Sequence, residues 1–165
     1  MICCVTGNRP KGFPFVRDKC NEKFNIYLEM LDAKVEALIA NGYDRFISGF
    51  ADGADIDFAV CVINKMKRNK DIVLEAALPY PKTNEKMYQE HGLNFCDLMA
   101  NVTTVTEVSD RYFRGCMQKR NRFMVDNSDF VLAIWNGEES GGTRNTVNYA
   151  LNKSKTVRFI NLCDI

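Results

Sequence analysis

Phe130-Val131-Leu132-Ala133-Ile134-Trp135, followed at once by Asn136-Gly137-Glu138-Glu139-Ser140-Gly141-Gly142-Thr143, is the stretch on which the reading of this chain turns. Six apolar residues in a row, without polar alternation, match a strand covered on both faces, as in a parallel sheet flanked by helices. The glycine turn behind it leads into a segment that predicts a helix with Val147, Ala150 and Leu151 facing inward. Thr156–Leu162 then reads as the next strand, which completes a strand–helix–strand unit.

The same alternation continues toward the N-terminus. Ile2–Thr6, Arg45–Ser48, Ile72–Leu78 and Val102–Val108 read as further strands. Between them Phe24, Leu28, Leu31, Val35 and Leu38 recur at helical spacing, as do Ile56, Val60, Ile63 and Met66. His91, Phe95, Leu98 and Met99 suggest one more helix. Strands alternating with helices along the whole chain predict an α/β fold, a three-layer α/β/α arrangement around a mostly parallel sheet. No linker, repeat or shift of composition interrupts residues 1–165, so a single domain is expected.

Bulk properties narrow the function classes. Hydrophobic residues at 46% and charged residues at 26% are ordinary for a folded domain, which argues against disorder. A net charge of +1 gives no global attraction for nucleic acid or a lipid surface. No run approaches the roughly 18 apolar residues that span a bilayer. Met1 leads directly into Ile2-Cys3-Cys4-Val5 without a basic region or cleavage site, so a cytoplasmic protein is expected, with no membrane partner. Seven cysteines, an odd number without a CxxC pair, fit free thiols better than disulfides or a metal site. Cys3 and Cys4 on one strand should point to opposite faces.

In parallel sheets, ligands bind beyond the carboxyl ends of the strands. Three segments there are unusual. The first strand runs into Thr6-Gly7-Asn8-Arg9-Pro10, where Gly7 allows close backbone approach and Arg9 offers a fork of donors for phosphate. The second runs into Ser48-Gly49, then Gly53-Ala54-Asp55 at a helix start; Asp55 fits a capping carboxylate, or an acceptor for a ribose hydroxyl. The third is Ser140-Gly141-Gly142-Thr143, a phosphate cradle with a hydroxyl donor. Neither a P-loop nor a dinucleotide fingerprint occurs.

A helix end contributes only about 0.3–1 kcal/mol per favourable charge at an exposed site. Micromolar binding requires about 8 kcal/mol. Further donors and an apolar wall are therefore needed, and Tyr112, Arg120 and Asn121 are the candidates beside Arg9. They lie in a segment, Asp110–Arg122, with five basic residues against one acid. That segment reads as a solvated helix face, as a positive rim for an anionic ligand, or as a contact for single-stranded nucleic acid.

Taken in order, these segments resemble the YpsA-like family of the SLOG superfamily. The matching residues are Thr6–Pro10, Ser48–Gly49 with Gly53–Asp55, Pro79-Tyr80, Tyr112, Lys119-Arg120-Asn121, Met124–Asp126, and Gly141–Thr143 with Ala150. The resemblance implies a Rossmann-like fold related to DprA and the "lonely guy" phosphoribohydrolases. It also implies a nucleotide-derived or ADP-ribose-like ligand, and pairing of chains into homo-oligomers. Those phosphoribohydrolases carry a catalytic Glu where Thr146 stands here, so glycosidic hydrolysis would lack its carboxylate. The expected function is a nucleotide-like small-molecule binding module that requires no cofactor. A nucleoside-monophosphate phosphoribohydrolase and a DprA-like binder of single strands are the alternatives.

Overall fold

The computed structural model describes residues 1–81 and 86–165. Strand β1 (Ile2–Gly7) is followed by α1 (Glu22–Ala40), β2 (Arg45–Ser48), α2 (Ala54–Met66) and β3 (Val73–Leu78). A short hairpin, β4 (Met87–Tyr88) and β5 (Leu93–Asn94), leads into α3 (Phe95–Met99) and β6 (Thr104–Glu107). The chain closes with α4 (Cys116–Asp126), β7 (Phe130–Trp135), α5 (Gly142–Asn152) and β8 (Thr156–Asn161).

Six strands form one sheet in the order β6-β3-β2-β1-β7-β8, every pairing parallel. The architecture is the Rossmann-like three-layer α/β/α fold that the sequence pattern predicts. After β1 the chain builds outward on one side through β2, β3 and β6, then returns to the other side of β1 with β7 and β8. The order therefore reverses between β1 and β7, and a crevice opens where their carboxyl ends part.

The sheet divides the apolar side chains into two cores. Cys3 and Val5 face the larger one, with Phe24, Tyr27 and Leu31 of α1 and Ile56, Phe58 and Val62 of α2. Cys4 faces the smaller one, with Met124 and Val125 of α4 and Val147 and Ala150 of α5. The opposite orientation expected of Cys3 and Cys4 is thus realised, and all seven cysteines are free.

Two local expectations are corrected. His91 is not helical: it sits in the turn of the β4–β5 hairpin, and α3 begins only at Phe95. The Asn94 side chain accepts from Asp97 N–H while Asp97 accepts from Asn94 N–H, a capping box that starts the helix there. Leu151 is 55% exposed instead of facing the core, because α5 lies toward the sheet edge at β8 and buries only the narrow stripe of Thr146, Val147 and Ala150. Among the described residues no helix is long and apolar enough to cross a membrane.

Candidate functional site

A cavity of about 420 Å³ occupies the crevice between the ends of β1 and β7. The loop after β1 supplies Gly7, Asn8 and Arg9 to its wall, and the loop after β7 supplies Gly141, Gly142 and Thr143. Asp55 enters from α2, Arg120 and Asn121 from α4. Segments more than 130 residues apart in sequence meet here because β1 and β7 pair in register, with Cys3 opposite Phe130 and Gly7 opposite Ile134.

Asn8 fastens this junction. Its backbone N–H donates to Ile134 O at 3.0 Å, its side-chain oxygen accepts from Asn136 N–H at 3.0 Å, and its carbonyl accepts from Ala54 N–H at 3.1 Å. The end of β1 is thereby tied to both the end of β7 and the start of α2. One consequence separates the two helix N-termini that point toward this edge. The first N–H of α2 is already satisfied by Asn8, whereas the N–H groups of Gly142 and Thr143 on α5 have no backbone or side-chain partner among the described residues. The N-terminus of α5 thus brings two free donors, with the positive end of its dipole, to the cavity wall.

Arg120 forms a deeply buried part of the wall. Its side chain is 4% exposed, and the guanidinium has few partners. Nη1 lies 3.7 Å from Asp55 Oδ2 and donates to Ala77 O at 3.5 Å, while Nε has no hydrogen-bond partner. Burial lowers the affinity of Arg120 for its proton, and the neighbouring Asp55 works against that loss. Burial likewise pushes the Asp55 carboxyl above its ordinary value of 3.8, opposed by Arg120 and by the Ala51 N–H that donates to it at 3.3 Å. Removing ions of this kind from water costs several kcal/mol each unless they are well bonded. This pair is long and loosely bonded, so the cationic end of the cavity is under-compensated.

The remaining candidates lie outside the cavity wall. A Cβ at Gly49 would fall 1.5 Å from Arg120 Nη1, so this residue makes room for the arginine instead of turning its backbone to a ligand. Gly53 has φ +97° and would meet Asn8 O at 2.4 Å if it carried a Cβ; it seats the β1 loop on α2. Gly53 also occupies the N-cap position of α2, so Asp55 sits inside the first turn and binds Ala51 and Arg120 without capping the helix. Tyr112 is 66% exposed and packs edge-on against Tyr80, away from the cavity. The basic segment is not one solvated face: Arg120 is buried, Lys119 donates to Val108 O, and Arg122 lies over the Tyr149 ring.

Two features escape sequence reasoning. Trp135, the single tryptophan, lines the cavity with Arg144 over its ring at 5.8 Å. A buried ion cluster joins Arg17, Asp57, Glu90 and His91, with Arg17 Nη2 2.5 Å from Asp57 Oδ1 and Nη1 2.7 Å from Glu90 Oε1. His91 Nε2 lies 2.7 Å from Asp57 Oδ1, and Tyr27 donates its hydroxyl to Oδ2 at 3.1 Å. Asp57, Glu90 and His91 are close enough together to hold a metal ion, but the Arg17 guanidinium already bridges the two carboxylates. The only sequence clue is Asp57, a carboxylate between Ile56 and Phe58 at the start of the apolar stretch of α2.

Comparison with known proteins identifies the family. The YpsA model, described as the YspA SLOG family, matches residues 3–164. The chain belongs to this SLOG family. The uncharacterized SPbeta prophage-derived protein YoqJ of Bacillus subtilis (strain 168) is 34% identical over 136 residues, covering 74% of this chain and 78% of that protein. A UPF0398 protein of Macrococcus caseolyticus (strain JCSC5402) is 23% identical over 85% of this chain and 76% of its own length. One from Bacillus pumilus (strain SAFR-032) is 24% identical over 92% and 82%. Within this SLOG chain, Thr146 donates its hydroxyl to Gly142 O at 2.8 Å and accepts from Asn121 Nδ2 at 3.0 Å, so it braces α5 against α4.

Proposed function

We propose that this SLOG chain is a binding module for a phosphate-bearing, nucleotide-like small molecule held at the β1–β7 crevice. The observation that carries the reading is Arg120, a buried guanidinium with an unpartnered Nε at the wall of a cavity that also receives the free N–H groups of α5. A phosphate oxygen would supply the charge and the acceptors that this corner lacks. Arg9, exposed at the rim, adds a second cation, and Trp135 provides an aromatic wall for a base or sugar. Capture instead of hydrolysis is favoured by Thr146, a hydroxyl bonded within the fold where a catalytic carboxylate would be expected.

The single tryptophan makes the test direct. Titration with AMP, ADP, ATP, cyclic nucleotides and ADP-ribose should change Trp135 fluorescence for at least one of them. A ligand at about a hundred times its Kd should raise the melting temperature by roughly 5–10 °C. Arg120→Met should abolish both responses while preserving the circular dichroism spectrum. A full panel without any response, or a response unchanged in Arg120→Met, would overturn the assignment. Release of free base from AMP would instead support an enzyme.

A further inference from the structure

The cavity over Arg120 is not the only opening on this side of the molecule. A groove of about 270 Å³ runs between α4 and α5 and shares Asn121 and Gly142 with the cavity. Five carboxamides line it: Gln118, Asn121, Asn145, Asn148 and Asn152. Exposed helix faces ordinarily carry charges, yet α5 has a single charged side chain, Arg144, in its 11 residues. Asparagine is also a weak helix former. Residues 145, 148 and 152 follow the three-then-four spacing that puts them on one face, so α5 gives up helix propensity along the stripe that faces the groove.

Of these five carboxamides only Asn121 hydrogen-bonds through its side chain to another described residue, Thr146; Gln118, Asn145, Asn148 and Asn152 keep donor and acceptor free. A carboxamide offers a donor and an acceptor side by side, the complement of a ring nitrogen beside an exocyclic amine or oxygen on a nucleobase. The groove also contains a flat surface, the Tyr149 ring with the Arg122 guanidinium 5.4 Å from its centroid. Along α5, Asn148 lies six residues beyond Gly142, about 9 Å by helical rise, which is the reach of a nucleoside attached to a phosphate at the helix N-terminus.

We propose that this groove is a second subsite, which takes the base of a second nucleoside joined through the phosphates held over Arg120. The ligand is then a dinucleotide. This rests on the binding reading given above, with phosphate at Arg120 as its anchor. The groove alone is smaller than an ordinary small-molecule site, but joined to the cavity it makes a site well within that range.

The test compares ADP with NAD by isothermal titration, for the wild-type chain and for Asn145→Leu/Asn148→Leu. Both positions are exposed and leucine is the better helix former, so the double variant should fold. NAD should bind at least about tenfold more tightly than ADP. The double variant should lose that gain and keep its ADP affinity. NAD binding no tighter than ADP, or a gain that survives the double substitution, would overturn the subsite and leave the Arg120 site standing. Binding of neither would overturn both. Sedimentation separates the remaining occupant: a wild-type dimer that becomes monomeric in the double variant would assign the groove to a second copy and overturn the subsite.

Discussion

Asp55 and Arg120 face one another at 3.7 Å inside the β1–β7 crevice, closer than unlinked charges but too far apart for a well-formed hydrogen-bonded pair. Each is buried, and each is the other's nearest opposite charge. The carboxylate therefore competes with any anion for the same guanidinium.

That competition has a pH signature. Burial raises the Asp55 pKa from 3.8, so between that value and its raised one the folded state holds the proton more tightly than the unfolded state does. Within that window the Asp55 contribution to stability falls as pH rises. Protonation also frees Arg120, so sulfate, which does not itself titrate there, should bind more tightly as pH falls toward the window. Asp55→Asn should bind sulfate tightly at neutral pH and lose the dependence. Calorimetric titration from pH 7.5 down to about 4, close to the lower bound of the window, checks this, and a parallel pH slope in wild type and Asp55→Asn would refute it.

Gly49→Ala should displace Arg120, because the added Cβ would fall 2.3 Å from its Cζ and 2.7 Å from Asp55 Oδ2. Overpacking a well-filled site typically costs about 1–3 kcal/mol. Arg120→Ala removes the closer obstacle and leaves only the Asp55 carboxylate to shift, so the double variant should be more stable than the sum of the two single losses. Urea denaturation of the four chains measures the coupling; strict additivity would show that the contact is relieved elsewhere.

Asp57 is fully buried and receives bonds from Arg17, Tyr27 and His91. Arg17→Met leaves that carboxylate without its guanidinium, a change that ordinarily costs about 3–5 kcal/mol. Asp57→Asn/Arg17→Met, which removes both charges, should recover part of the loss. Thermal melts of the two variants give the comparison, and equal destabilisation would place the stabilisation elsewhere in the cluster.

The cysteines should divide by exposure. Cys20, Cys96 and Cys163 are exposed, while Cys3, Cys4, Cys61 and Cys116 are buried. Burial pushes the Cys4 thiol up to about 12, and the Cys61 thiol likewise to about 12 with Asp32 beside it. Ellman's reagent at pH 8 should label three thiols in the native protein and all seven after denaturation in guanidinium chloride. Rapid native labelling of a fourth would contradict the burial described.

Phe130–Trp135 and the other apolar runs make the parallel sheet legible, because a strand covered on both faces must be apolar throughout. The loops after β1 and β7 are legible as candidate-site segments for a related reason, since the fold rule places ligands at strand ends whatever the side chains. Gly49 and Gly53 show where local reading stops. Their glycines look like those of Gly141–Thr143, but what each one accommodates, Arg120 in one case and the Asn8 carbonyl in the other, is set by long-range packing. Arg17, Asp57 and His91 are invisible for the same reason, coming from a loop, a helix and a hairpin turn with no spacing in common. Two-residue strands such as β4 and β5 carry no periodicity to detect.

The pairing of Cys3 with Phe130 sets an order of events during synthesis. β1 leaves the ribosome ahead of its partners and meets β2 once Arg45 has emerged, yet its other edge stays unpaired until β7 is made. Parallel contacts across such separations form slowly. The crevice, with walls from the loop after β1 and the loop after β7, cannot exist on a nascent polypeptide until the start of α5 has been made. Whatever occupies it can hold the finished molecule together but cannot guide its early assembly.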